Sequence, residues 1–205
     1  MQISLDNYSQ VDFAKMNGLV PAIAQHADNG EILMQGYMNE AALLATLTHS
    51  QAYFYSRSKQ DLWRKGETSG HVLSVQSVHT DCDQDSLLLM VLPMGPTCHL
   101  GHRSCFSSGA ASPLLVRLLD TIHARQAAGD PTSYTYQLLQ QGIARVAQKV
   151  GEEGVEVALA AVTDDENQLL NESADLLYHL LVLISARGLH LNEVLAVLAQ
   201  RQVST

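Results

Sequence analysis

A chain of 205 residues with 21 acidic against 12 basic side chains, a net charge of −9 and a pI near 5.3, has no charge reserve for neutralising a nucleic-acid backbone. The excess is shared, with 6 Lys/Arg against 10 Asp/Glu in residues 1–106 and 6 against 11 in residues 107–205, so neither half carries a basic stripe. The opening MQISLDNYSQVDF lacks the basic and apolar regions of a signal peptide, and no apolar run is long enough to cross a bilayer, which implies a soluble, cytoplasmic protein with neither nucleic-acid nor membrane partners.

Residues 19–36, LVPAIAQHADNGEILMQG, predict two short strands around Asp28-Asn29-Gly30, whose Asn-Gly pair suits a tight turn. NEAALLATLTHS predicts a short helix capped by Asn39. The runs QAYFYSR, HVLSVQSVHT and SLLLMVLP predict further strands, with SKQDLWRKGETSG a polar loop between the first two. Every Cys and Phe and the only Trp lie at or before Phe106, and SSGAASP, residues 107–113, has the composition of a linker. This divides the chain into a mainly β domain over 1–106 and an all-α domain over 114–205, an α+β two-domain class.

After the linker the apolar period becomes helical. Ser112-Pro113 is a helix start, and Leu114, Leu115, Leu118, Leu119 and Ile122 fall on one face. SYTYQLLQQGIARVAQKVGEEGVEVALAAV predicts one long helix, DENQLLNESADLLYHLLVLISARG a second and NEVLAVLAQR a third.

Chemistry concentrates in two places. In TDCDQDS, strand alternation would point Asp81, Asp83 and Asp85 to one side and Cys82 to the other, and three converging carboxylates suit a hard cation such as Mg²⁺. A solvated turn is the plainer alternative. Three cysteines, Cys82, Cys98 and Cys105, are too few for a closed structural zinc site but leave an open position for water; inert buried thiols are the competing reading. An odd count in a reducing compartment favours metal or reactive-thiol chemistry over disulfides. His99 and His102 are both suited to proton transfer, and spacing does not choose between them. The glycine-flanked GETSG, Gly66 to Gly70, offers backbone N–H groups and the hydroxyls of Thr68 and Ser69 to a phosphate, with Arg57, Arg64 and Lys65 nearby in sequence.

The second place is KVGEEGVEVA with the later ESAD. Glu153 and Glu156 are a helical turn apart, Glu152 shares a side with Glu156, and Glu172 and Asp175 repeat the spacing on the next helix. Two antiparallel helices can aim these acids at one point, although solvated acidic faces have the same pattern. Arg145 and Lys149 precede them at four-residue intervals, as phosphate ligands or as ordinary helix ion pairs.

SRSKQDLWRKGETSGH, DCDQD and GPTCHLGHRSCF together resemble phosphoribosyl-AMP cyclohydrolase over roughly residues 19–106. The resemblance implies zinc on Cys82, Cys98 and Cys105, Mg²⁺ on Asp81, Asp83 and Asp85, His99 as general base, and substrate contacts within Arg57, Trp63 and Lys65 to Gly70, Glu67 included. It also implies an intertwined homodimer in which two chains supply one site. The E-x-x-E and E-x-x-D pairing resembles the all-α pyrophosphohydrolases and, behind such a domain, phosphoribosyl-ATP pyrophosphohydrolase over roughly residues 114–202. That implies Mg²⁺ on Glu152, Glu153, Glu156, Glu172 and Asp175, with Glu153 and Glu156 activating water and Arg145 and Lys149 on the phosphates. The substrates implied are phosphoribosyl-ATP and phosphoribosyl-AMP. A deaminase fused to a house-cleaning pyrophosphohydrolase is disfavoured by the lack of H-x-E followed by P-C-x-x-C, and a zinc-stabilised interaction module by having three thiols rather than four.

Overall fold

Alternation of small apolar residues with partly exposed ones makes Val20–His26 a strand buried on one face, with Val20, Ala22 and Ala24 fully covered. In the computed structural model, described over residues 1–106, 113–163 and 165–203, this strand (β2) is one of seven. The others are β1 (Gln2–Ile3), β3 (Ile32–Met38), β4 (Tyr53–Ser56), β5 (Asp61–Arg64), β6 (Leu73–Thr80) and β7 (Leu87–Pro93). Five strands form a sheet in the order β1-β6-β7-β2-β3, antiparallel except for β2 on β7, where Ala22 lies opposite Leu87. A bulge between Val75 and Ser77 shifts the parity of β6, so that Leu73 and Val78 are both buried.

Helix α1 (Glu40–His49) begins where Asn39 accepts the Ala42 N–H at 2.8 Å, the cap its sequence predicts. The polar loop of the sequence reading contains a strand: β5 pairs with β4 in a separate hairpin, placing Phe54 opposite Trp63. Phe54 is fully buried, and a Cβ on Gly36 of β3 would come within 2.4 Å of its ring. Its burial contributes about 1.5–3 kcal/mol, and its ring meets Trp63 at 5.4 Å between centroids. The core thus reaches to the edge of the 63–71 loop.

The chain divides into two compact units, Met1–Pro113 and Leu114–Thr205, and most of the expected linker, residues 107–112, lies outside the described residues. The second unit is helical: α2 (Leu114–Ala128), α3 (Tyr134–Gln140), α4 (Ile143–Thr163), α5 (Glu166–Ala186) and α6 (Leu191–Val203). The expected single long helix is broken into α3 and α4, because Gly142 takes φ +88°, a left-handed turn that no helix contains. Ile122, Leu138, Val146, Leu181, Val182 and Ile184 form its core. Leu118 and Leu119 pack on that core as their spacing predicts, but Leu114 and Leu115 are exposed. Against expectation, α5 has the length and mean apolarity of a bilayer span, because Glu172 and Asp175 are diluted by the apolar run from Leu176 to Ile184.

Candidate active sites

The first unit gathers its chemistry by folding two loops onto the end of the sheet. Residues 97–105 follow β7 and turn back on themselves, with the Cys98 N–H donating to the His102 carbonyl at 2.9 Å. The far end is fastened to β3: Ser104 Oγ donates to the Ile32 carbonyl at 2.7 Å, and the Cys105 N–H donates to that of Leu33 at 2.8 Å. Burial pushes the Cys105 thiol up, and the Cys98 sulfur beside it adds to the effect while the Lys65 ammonium opposes it.

Opposite lies the 63–71 loop. Gly66, at φ +85°, is needed there, because a Cβ would stand 2.4 Å from the His71 carbonyl carbon. Between the loops is a cleft of about 350 Å³ lined by Trp63, Arg64, Lys65, Gly66, Glu67, Thr68 and Ser69 on one side and by Pro96, Cys98, His99 and Gly101 on the other, with His71 at the base of the loop. Of the two histidines the sequence left undecided, His99 lines the cleft. His71 was not foreseen, nor was the approach of Gly95, where a Cβ would come within 2.7 Å of the His71 ring. Part of the expected N–H array is engaged within the loop: Gly70 donates to Gly66 O at 2.8 Å and Glu67 to Arg64 O at 3.1 Å. Arg57 is elsewhere, its guanidinium carbon 3.9 Å from the centre of the Tyr37 ring.

The aspartates converge, but not by strand alternation. Asp81 to Asp85 form the loop between β6 and β7, with Gln84 at φ +65° and Asp81 Oδ1 accepting the N–H groups of Asp85 and Ser86. One carboxylate oxygen from each of Asp81, Asp83 and Asp85 lies within 4.8 Å of the others, a spacing that fits one cation. A residue the sequence reading missed sits among them: Lys15 Nζ is 2.5 Å from Asp83 Oδ2 and 2.6 Å from Asp85 Oδ2, and holds Asp83 below the usual carboxylate range. Cys82 is exposed, with its sulfur 4.0 Å from Asp83 Oδ1, and is not brought to the Cys98–Cys105 pair within one chain.

In the helical unit α4 and α5 pack side by side, and Glu153, Glu156 and Glu172 bring carboxylate oxygens within 4.8 Å of one another. Glu153 is 3% exposed yet kept ionised by Lys149, whose Nζ is 2.6 Å from Oε1. The adjoining Glu153 carboxylate raises Glu156, so a cation between them would relieve a repulsion already present. Glu152 turns away, paired with Arg145 at 3.0 Å and Lys149 at 3.1 Å, and Asp175 is exposed with its carbonyl taken by His179. Of the five expected acids, the structure brings three together, Glu153, Glu156 and Glu172. Arg145 and Lys149 make the helix ion pairs their spacing allows.

A thiol-bearing cleft on a β-rich unit and a carboxylate centre on a helical one define a two-site hydrolase. Family models divide the chain likewise, phosphoribosyl-AMP cyclohydrolase matching residues 34–107 and phosphoribosyl-ATP pyrophosphohydrolase residues 115–202. The chain is 50% identical over 195 residues to the histidine biosynthesis bifunctional protein HisIE of Shewanella oneidensis, covering 95% of this chain and 92% of that one. It is 53% identical over 196 residues to that of Xanthomonas axonopodis pv. citri, with 96% and 95% covered, and 51% over 193 to that of Escherichia coli, with 94% and 95% covered. The chain belongs to the family of bifunctional histidine-biosynthesis enzymes that join these two hydrolases.

Proposed function

We propose that the helical unit, residues 114–205, hydrolyses phosphoribosyl-ATP to phosphoribosyl-AMP and pyrophosphate, and that the β-rich unit, residues 1–106, then opens the adenine ring of that product. The observation that carries the second step is the cleft in which Cys98 and His99 face Lys65, Thr68 and Ser69. Zinc held by Cys98, Cys105 and a Cys82 from a second chain would supply a water that ionises near neutral pH. Phosphoribose on N1 makes the ring cationic and C6 electrophilic; water adds at C6, and collapse of the tetrahedral carbon breaks the C6–N1 bond. His99 moves the proton between the adding water and the leaving nitrogen. Trp63 covers the base, and Lys65 with the 66–69 turn takes the phosphate.

Glu153, Glu156 and Glu172, with Asp175 one turn beyond Glu172, are the ligands for Mg²⁺ that would neutralise the triphosphate, and Asp81, Asp83 and Asp85 those for Mg²⁺ in the first unit. Glu156, exposed where Glu153 is buried, would take the proton from the attacking water. Glu152 orients Lys149 and Arg145. A soluble, cytoplasmic homodimer fits both the separation of Cys82 from its fellow thiols and the apolar face of α4 and α5, where Val155, Leu159, Val162, Leu170 and Leu177 are exposed in a single chain.

The test supplies phosphoribosyl-ATP and follows both products. Cys98→Ala should stop ring opening and leave pyrophosphate release intact, and Glu156→Gln should do the reverse while still opening supplied phosphoribosyl-AMP. Loss of both activities in either folded variant would overturn the assignment of one reaction to each unit.

A further inference from the structure

Behind the carboxylate centre runs a polar chain, buried at His179 and Glu153 and half exposed at Tyr134, whose tyrosine and histidine take no part in the chemistry above. His179 of α5 is 4% exposed, and its Nδ1 lies 2.9 Å from the Asp175 carbonyl oxygen. A carbonyl only accepts, so Nδ1 carries a hydrogen. In the neutral ring Nε2 must then accept, and the group presented to it, at 2.9 Å, is the Tyr134 hydroxyl from the first turn of α3. The Glu153 Oε1 of α4 lies 3.5 Å from Nδ1, so the same N–H dipole faces this buried carboxylate. Lys149 Nζ approaches Oε1 from another side at 2.6 Å.

The docking of α3 that delivers Tyr134 is specified separately. Ser133 caps the helix by accepting the Tyr136 N–H, and one residue along from Tyr134, the fully buried Thr135 bonds the Tyr178 hydroxyl at 2.7 Å. Adjacent residues of α3 thus pair with adjacent residues of α5, and the Tyr134 and His179 rings meet edge to face at 6.0 Å. Helix α3 therefore places a hydroxyl against the ring that faces Glu153.

We infer that Tyr134 and His179 are positioning residues for pyrophosphate release: the Asp175 carbonyl fixes the hydrogen on Nδ1, Tyr134 holds the ring in place through Nε2, and the Nδ1–H, with Lys149, pins Glu153 Oε1 so that its other oxygen is presented to the cation. This rests on the reading of Glu153 as a metal ligand. Imidazoles and hydroxyls that orient metal-ligating groups typically carry about 10–100-fold in metal affinity.

The experiment uses the full chain in an Asp83→Asn/Asp85→Asn background, so that Mn²⁺ uptake, read by electron paramagnetic resonance, reports the helical unit. Pyrophosphate release is followed in parallel against Mg²⁺ concentration. Tyr134→Phe, which removes only the hydroxyl, should weaken Mn²⁺ binding by roughly tenfold and raise the Mg²⁺ needed for half-maximal rate by a like factor, with the rate at saturating Mg²⁺ little changed. His179→Asn, whose amide nitrogen can replace Nδ1 as donor, should retain affinity to within about threefold, and His179→Leu should not. Adding Tyr134→Phe to His179→Asn should cost nothing further, since Asn has no counterpart of Nε2 for the hydroxyl to hold.

Unaltered Mn²⁺ affinity in Tyr134→Phe, or His179→Asn as weak as His179→Leu with unchanged circular dichroism, overturns the positioning role. Glu153→Gln separates the two levels. If it leaves Mn²⁺ uptake intact, the assignment of Glu153 as a ligand falls and the inference with it; if it abolishes uptake while Tyr134→Phe does not, only the inference falls.

Discussion

Arg103 Nε lies 2.7 Å from Glu31 Oε2, an ion pair joining the cysteine loop to the turn before β3. The carboxylate is almost fully covered whereas the guanidinium is nearly half exposed, so the pair is shielded from water on one side only. Removing the cation strands a buried charge. Arg103→Ala should cost roughly 1–3 kcal/mol in denaturant unfolding, less than a wholly buried pair because water reaches the arginine side. Ring opening should fall further than stability, because the same loop carries Cys98, His99 and Cys105. Arg103→Ala/Glu31→Leu should recover stability and not activity; recovery of both would show that the pair does not place the loop.

Lys15 bridges Asp83 and Asp85, two of the three carboxylates proposed above to hold Mg²⁺. A metal entering there competes with the ammonium. Lys15→Met should therefore lower, severalfold, the Mg²⁺ concentration needed for half-maximal ring opening of supplied phosphoribosyl-AMP. An unchanged requirement would mean that the lysine and the metal do not share the site.

Gly66 and Gly70 both have positive φ, +85° and +76°, but only Gly66 is crowded, by the backbone of His71 and Val72. Gly70→Ala should cost about 1–2 kcal/mol, the usual penalty of a left-handed alanine. Gly66→Ala adds a collision with main-chain atoms and should abolish ring opening, because Lys65, Glu67 and Thr68 move with it. Pyrophosphate release by the same protein is the internal control, and comparable ring opening in the two variants would contradict the difference.

His26 is held below its ordinary value of 6.5, chiefly by burial. Its Nδ1 also accepts the Asp28 N–H at 3.2 Å, which a protonated ring could not do. The folded state prefers the neutral ring, so this contribution to stability is full above the unfolded value and is lost as pH falls from there through the folded value. Melting of the first unit should fall between pH 7.5 and pH 5.5 by more in the natural protein than in His26→Asn. Parallel melting curves against pH would show that the ring does not report on folding.

The division into β and α halves was legible because Phe, Trp and Cys stop at Phe106 and the apolar period changes after it. The β2–β3 turn and the Asn39 cap were legible as well, since both rest on local chemistry. Strand β5 was not, because DLWR carries two charges within its four residues and is held by pairing with Tyr53–Ser56 rather than by propensity. The convergence of Asp81, Asp83 and Asp85 was expected from pleat alternation and arises instead from a turn in which Asp81 caps its own successors. Sequence spacing put Glu152 beside the other acids, whereas its carboxylate pairs with Arg145 and Lys149, and which basic neighbour an acid takes does not follow from periodicity. Lys15 and Tyr134 were missed because each reaches its carboxylate or imidazole across a long stretch of chain.

The parallel seam between β2 and β7 governs how the chain is born. Ala22 waits for Leu87 before the middle of the sheet can close, whereas α4 and α5, adjacent in sequence, meet as soon as both exist. The N-terminal unit, first to leave the ribosome, is thus the slower to fold. Its cysteine loop follows β7 in the chain and is anchored back to the Leu33 carbonyl of a strand made long before. Cys98, buried in the folded unit, is covered only when that loop is in place, so a soft metal or an oxidant reaches it more easily in the nascent chain than in the finished one.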